Sequence, residues 1–399
     1  MSHTPPFRRA REQASVSGHQ PAPDRRLTSR STTLLVRTAA AVASAALLVP
    51  LAAASAPAAA SASASDKATA VSVPAAVGAS APPAAQAAAA PAGCTVSAKL
   101  VPSCGAWWGA SVSGSSSHAA ELAAFEAKTG ARTDIYHGYH RVGQMFPTPD
   151  EIAIARDPKG RRILLLSLKP TVRYDWAQIA AGKEDAYLDN LARHIKANYR
   201  EKFMMSIHHE PENDVRPAAG SGMTATDFRN MFRHVVQRLK GAGATNVLFV
   251  ANFQGTQKFH TESWWPQMYP GDDVVDWLGW DSYSCVKPNP GEPCNDFAAT
   301  VNRRFSDNTP WPGFYNWAVK NHPTKPLIIC ELGVYETGDS RKADFFRTAV
   351  QQAPKYPAIK AIAYWDSGTT RKARLAPGSL AATTAGAFAR SALFAQQVP

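Results

Sequence analysis

The chain is 399 residues long, with 43 Lys and Arg against 31 Asp and Glu and a formal net charge of +12. Residues 1–65 hold seven of the bases and two of the acids, so the remainder carries 36 against 29, a mild and scattered surplus. With no basic stripe and no known module it argues against nucleic-acid binding and fits solubility or loose attraction to an anionic surface.

Residues 1–37 are polar and Arg-rich, and residues 38–56, TAAAVASAALLVPLAAASA, are apolar with small side chains. These features describe a secretory signal over residues 1–62, with cleavage near Ala60-Ser61-Ala62. Arg25-Arg26 permits a twin-arginine route. Pro50 and the many alanines make a poor membrane span, so no stable anchor is expected. Residues 63–93, almost entirely Ala, Pro, Ser and Val, are too poor in large apolar groups to build a core and read as a linker. All ten tryptophans lie between Trp107 and Trp365. The expectation is therefore a secreted monomer with one folded domain over residues 94–399, ample for a single large core.

Cys94 with Cys104, and Cys285 with Cys294, are spaced to close two short loops by disulfides, which suits an exported protein. Cys330, inside the apolar run PLIICELG, reads as a buried free thiol.

From Cys104 on, short apolar runs alternate with amphipathic stretches. In chain order the runs are CGAWWGAS, RTDIYHGYH, RRILLLSLKP, KFMMSIHHE, NVLFVANFQ, VVDWLGWDSYS, PLIICELGV and IKAIAYWDS. Between them AAELAAFEAKTG, EDAYLDNLARHIKANY, ATDFRNMFRHVVQRLKGAG and SRKADFFRTAVQQA show helical spacing, two with a closing Gly. Eight buried strands alternating with helices predict an α/β fold with a parallel sheet. An open doubly wound sheet would call for a Gly-rich phosphate loop after the first strand, and none is present. His137, Lys169, Glu210, Asn252, Asp281, Glu331 and Trp365 all fall at or just past a strand's carboxyl end, where a (β/α)8 TIM barrel builds its active site.

The stretch SIHHEPEND concentrates polar groups after strand four. His208 and His209 point to opposite faces of an extended chain, which disfavours one shared ion, and the helical zinc pattern of two histidines four apart is missing. Glu210 then stands as a carboxylate needing a partner. Glu331 supplies one, because it follows four apolar residues at the end of strand seven, where a buried glutamate without a role is costly. Two carboxylates on one rim are the equipment for cleaving a glycosidic bond. Glu212 and Asp214, past the strand end, read as loop or subsite residues.

With its glutamates on strands four and seven, the chain resembles the clan of (β/α)8 retaining glycoside hydrolases. Its His209-Glu210 pair, where Asn-Glu is usual in the clan, is similar to glycoside hydrolase family 26, the family of many β-mannanases. The motifs are HHEPEND, WDSY, CELG and YWDS, within residues 105–370. The resemblance implies Glu210 as acid/base, Glu331 as nucleophile held by Tyr283, His209 and His137 as sugar ligands, and Trp365 as the apolar floor. One departure is that PENDVRPAAGSG lacks the aromatic-rich segment that often follows the acid/base, so the resemblance does not settle substrate choice.

Aromatic faces suit pyranose rings. Trp107, Trp108, Trp264, Trp265, Trp280, Trp311 and Trp317 exceed the needs of a core this size, and TESWWPQMYP and NTPWPGFYNW are the best candidates for a groove. Trp108 and Asn252 join the expected substrate-binding set. The expectation is a retaining, endo-acting glycoside hydrolase on β-mannan or another β-glycan, with no organic cofactor and no catalytic metal. The alternative is a non-catalytic carbohydrate-binding or cell-wall protein on the same barrel, for which both glutamates would be unnecessary.

Overall fold

The computed structural model describes residues 93–113, 117–255, 257–285, 295–304, 310–335, 338–368 and 372–399. The expected signal segment, nearly all of the expected linker, and Cys294 lie outside them.

Eight strands form a closed barrel: β1 (Trp107–Val112), β2 (Ile135–Arg141), β3 (Ile163–Lys169), β4 (Phe203–Ile207), β5 (Val247–Gln254), β6 (Trp277–Ser284), β7 (Leu327–Val334) and β8 (Ile359–Asp366). Each pairs in parallel with its neighbour in sequence, and β8 closes on β1 over six residue pairs. The eight apolar runs are thus one sheet, continuous in hydrophobicity because both faces are covered.

The four helices legible from periodicity are α1 (His118–Thr129), α4 (Asp185–Asn198), α5 (Ala225–Gly241) and α9 (Asp339–Gln352). The start of α5 is set by Thr224, whose hydroxyl accepts the Asp227 N–H while the Asp227 carboxylate accepts the Thr224 N–H, a reciprocal cap. Among the described residues there are also α2 (Pro149–Ala155), α3 (Trp176–Ala180), α6 (Gln257–His260), α7 (Phe297–Val301), α8 (Phe314–Asn321) and α10 (Leu380–Ala389). Most are too short to show a period, and α10, LAATTAGAFA, has almost no polar face. No helix among the described residues is long and apolar enough to cross a membrane.

Inside the barrel Trp107, Leu165, Met204, Val250, Trp277 and Ile328 form a packed layer. The disulfide Cys94–Cys104 closes a loop that plugs the barrel's amino-terminal end. Leu100 of this loop joins the inner layer, Trp107 Nε1 donates to Leu100 O at 2.7 Å, and Trp277 Nε1 donates to Lys99 O at 2.8 Å. Cys330 is a buried free thiol, and Cys285 is disulfide-bonded.

The β6–β7 register shifts at one place. Trp280 faces Ile329 and Asp281 faces Glu331, so Cys330 is the extra residue of a bulge, and the β7–β8 pairing is also irregular between Ile329 and Leu332. A bulge re-aims the side chain beside it. Here that side chain is Glu331.

Candidate active site

Glu331 rises from the bulge of β7 and is 5% exposed. Tyr139, on β2, donates to its Oε1 at 2.6 Å, and Tyr283, on β6, donates to its Oε2. The Tyr283 ring crosses Gly333, where a Cβ would sit 2.5 Å from it, which gives the Gly of CELG its reason. Burial drives the Glu331 carboxyl above its ordinary range and the charge of Glu210 adds to this, whereas His209 and the two tyrosine hydrogen bonds draw it back. The Tyr139 hydroxyl is itself pushed well above its usual range, first by burial and then by Glu331, so it remains a donor.

Glu210 follows β4 and caps the short 3₁₀ turn Pro211–Asp214. Its backbone is left-handed, φ 48°, as is that of His208, φ 56°. Such conformations cost about 1–2 kcal/mol for a residue with a Cβ and persist only where neighbours enforce them. The His208 N–H donates to Leu168 O at 2.8 Å and the Glu210 N–H to Asn252 O at 3.2 Å. Side chains fix the turn as well. His208 Nδ1 accepts from Trp176 Nε1 at 2.9 Å, so the ring proton is on Nε2, which donates to Asp214 Oδ2 at 2.7 Å. Burial lowers His208 to about 4 and keeps it neutral. Asp214 also accepts from Lys169 Nζ at 2.8 Å, and His208 first, then Lys169, hold it well below the usual carboxylate range. Lys169, a strand-end residue in the sequence, is thus tied to this turn.

Glu212 lies in the loop after β4, as expected, but it is turned inward. It is 1% exposed, accepts the Gln254 N–H at 2.9 Å, and is pushed by burial to about 8. The ring of His260 lies 4.0 Å from it and stacks on Trp311 at 4.2 Å.

Asn252, on β5, donates through Nδ2 to both Asp281 oxygens at 3.1 and 3.2 Å. Carboxyl oxygens of Glu210, Asp281 and Glu331 lie within 4.8 Å of one another, the spacing of a possible cation site. Oxygen ligands of this kind suit a hard cation. However, each of the three already accepts from neutral side chains: tyrosines at Glu331, Asn252 at Asp281, and Asn213 and Gln254 at Glu210.

Trp365, at the end of β8, and His209 both meet Tyr139 edge-to-face, with centroids 5.4 and 5.3 Å apart. Glu210, Glu331, His209, Tyr283, Asn252 and Trp365 therefore come together, and Tyr139 and Asp281 join them. Tyr139 lies two residues beyond His137 on the same strand face, the signal that would have found it. Trp365 Nε1, His209 Nδ1 and Asn252 Oδ1 are buried with no protein hydrogen-bond partner among the described residues.

Two expected ligands are corrected. His137 is 1% exposed, its Nδ1–H donates to Cys330 O at 3.1 Å, and its Nε2 accepts from Ser167 Oγ at 2.9 Å, so neither nitrogen is free for a sugar. It serves the carbonyl of the bulge residue from below. Trp108 is 1% exposed on the outer face of β1, against Phe388 and Phe394 at 5.7 and 5.5 Å. The groove candidates also change. Trp265, Trp280 and Trp311 are buried, and Trp265 and Trp317 pack edge-to-face at 4.5 Å, so most of that aromatic set is packing.

No family model matches the sequence. Endoglucanase H of Acetivibrio thermocellus is 30% identical over 242 residues, which is 59% of this chain and 25% of that protein's length. A GH26 β-mannanase from Bacteroides ovatus superposes with a TM-score of 0.51 at 17% identity, over 73% of this chain and 90% of its own. A Cellulomonas fimi endo-β-1,4-mannanase double mutant gives 0.48 at 17% identity, over 71% and 70%. The likeness to glycoside hydrolase family 26 holds at the level of the (β/α)8 fold.

Proposed function

We propose that the chain is a secreted retaining glycoside hydrolase, with Glu331 as nucleophile and Glu210 as acid/base, acting within β-linked polysaccharides such as mannan. The observation that carries this reading is the approach of a partly exposed carboxyl at the end of β4 and a buried, tyrosine-held one on β7, one oxygen of each lying within 4.8 Å of the other. Direct attack with retention requires carboxyl groups about 5–5.5 Å apart, whereas inversion through a water needs roughly 6.5–9.5 Å. The names of the endoglucanase and mannanase relatives accord with a β-glycan.

The chemistry follows from the environments. Glu210 and Glu331 are too close for both to be ionised cheaply. Glu331 keeps a hydroxyl donor on each oxygen, which serves the charged form a nucleophile needs, and the more exposed Glu210 is assigned the acid's role at the leaving oxygen. Glu331 then attacks the anomeric carbon as Glu210 passes its proton to the departing oxygen, and a covalent glycosyl ester forms. Water attacks the ester, giving its proton to the Glu210 carboxylate and freeing Glu331. Trp365 would floor the ring, and its indole N–H, His209 Nδ1 and the Asn252 carbonyl, all buried without a protein partner among the described residues, suit sugar hydroxyls.

The test is a screen of the purified domain on mannan, xylan, mixed-linkage glucan and chitosan, followed by NMR of the first product anomer. Release of a β-anomer from one of them supports the reading; no hydrolysis of any, or inversion, removes it.

A further inference from the structure

The two adjacent histidines of the turn after β4 serve different partners. The His209 ring meets Tyr139, whereas the His208 ring packs edge-on against the buried rings of Trp176 at 5.2 Å and Phe228 at 6.4 Å. There it links two polar groups. Trp176 Nε1 donates to His208 Nδ1 at 2.9 Å, and His208 Nε2 donates to Asp214 Oδ2 at 2.7 Å. An indole offers only a donor, so the chain runs one way, from indole through imidazole to carboxylate. Its first member is firmly placed: Trp176 opens α3, where the N-cap Asp175 accepts the Gln178 N–H at 2.8 Å and Gln178 Oε1 accepts the Asp175 N–H at 3.2 Å. Its last member, Asp214, ends the 3₁₀ turn that follows Glu210, and Lys169 Nζ, on β3, donates to the same Oδ2 at 2.8 Å. The His208 ring therefore joins both ends of the stretch from His208 to Asp214 and ties them to α3. His209 and Glu210 lie inside that closed stretch.

We propose that Trp176, His208 and Asp214 form a positioning chain that holds this turn so that the Glu210 carboxyl meets the departing glycosidic oxygen. The inference rests on the acid/base role given to Glu210 above. Left-handed backbone at His208 and Glu210 persists only where its surroundings enforce it. The bonds from the His208 N–H to Leu168 O and from the Glu210 N–H to Asn252 O hold the start of the turn to the neighbouring strands. The His208 ring holds its far end, Asp214, and takes its own bearing from α3, outside the sheet. An apolar side chain at position 208 would fill the space between Trp176 and Phe228 as well. What the imidazole adds is a donor aimed at the turn, which packing alone does not call for. No proton moves along the chain during the reaction: it acts on Glu210 through geometry, and a misplacement of about 1 Å in a reacting group can cost on the order of 10²-fold in rate.

The test compares the parent with Trp176→Phe, which deletes the indole N–H and keeps a ring, Asp214→Ala, which deletes the far anchor, and the double variant. Substrates are aryl glycosides of the sugar the parent hydrolyses, from dinitrophenyl to phenyl, and the polysaccharide. Each single variant should lower kcat/KM on the order of 10- to 100-fold for phenyl glycosides and polysaccharide. Dinitrophenyl glycosides, which leave without a proton, should react at near-parental rates, so dependence on leaving-group acidity steepens. Because both residues act through one ring, the double variant should lose no more than the worse single one. Uniform loss across the series would reduce the three side chains to packing and overturn the inference. Parental rates throughout, or losses that multiply in the double variant, would overturn it too. If Trp176→Phe does not fold, Asp214→Ala, at a partly exposed position, decides the matter by the same series. A parent inactive on every glycoside overturns the acid/base reading and this inference with it; an active parent with indifferent variants overturns the inference only.

Discussion

Tyr139 and Tyr283 hold the two oxygens of Glu331 from separate strands, β2 and β6, one hydroxyl to each oxygen. Among the described residues no Lys or Arg forms an ion pair with Glu331: two neutral hydroxyls, together with the nearby His209, favour its ionised form against the cost of burial. A hydrogen bond to a charged group contributes about 1.5–3 kcal/mol. Tyr139→Phe and Tyr283→Phe should each therefore lower kcat/KM by roughly 10- to 100-fold. The pH dependence has a definite sign. Both donors pull Glu331 down against burial, so removing either raises its pKa further and should move the acid limb of the kcat/KM profile to higher pH. An unmoved acid limb in both variants would separate the tyrosines from nucleophile ionisation.

Much of this was legible beforehand, and the failures share a cause. Parallel strands are buried on both faces, so their apolar runs stand out, and Glu210 and Glu331 stood out as carboxylates closing such runs. What sequence does not carry is depth and phase. Trp107 and Trp108 are adjacent and both aromatic, yet the first faces the lumen and the second faces α10. His137 and Tyr139 share a face, but only the one nearer the rim reaches Glu331. Asn213 and Gln254 were invisible because their meeting depends on a turn with left-handed residues at His208 and Glu210, conformations that neither residue type advertises.

The buried place of His137 predicts stability, not binding. Removing it strips a donor from the carbonyl of Cys330 and leaves Ser167 unsatisfied, so His137→Ala should cost about 2–4 kcal/mol. Its pKa falls to about 3, chiefly by burial, from about 6.5 in an unfolded chain. The unfolded state thus binds the proton first, so this contribution is complete above pH 6.5 and is lost progressively as pH falls toward 3. Urea melts at pH 7 and pH 4.5 should show a drop that His137→Leu reduces. A KM that rises with stability unchanged would instead return His137 to the sugar.

The Cys94–Cys104 loop lies under the barrel, at the end opposite the carboxylates. Cross-linking a loop this short contributes about 2–3 kcal/mol by restricting the unfolded chain. Cys94→Ser with Cys104→Ser should lower Tm while leaving kcat/KM at 25 °C near the parent value. Non-reducing peptide maps should find Cys94 with Cys104, Cys285 with Cys294, and Cys330 alone; a bridge to Cys330 would contradict its burial on β7.

The two glutamates should fail differently. Glu331→Ala removes the atom that forms the covalent ester, so turnover should fall by several orders of magnitude on every substrate, activated or not. Added azide should not restore a retained product, because it would attack from the face that Glu331 vacates and give the opposite anomer. Glu210→Ala leaves the nucleophile in place. Polysaccharide, whose leaving group needs a proton, should be cleaved about 10²- to 10⁴-fold more slowly, while dinitrophenyl glycosides should still form the glycosyl-enzyme. That ester then waits for a general base, so azide should speed its breakdown and yield a glycosyl azide of retained configuration. Hydrolysis of polysaccharide at the parent rate by Glu331→Ala, or an inverted first product by NMR, would leave the carboxyl of CELG without the role its burial, its bulge and its two tyrosines point to.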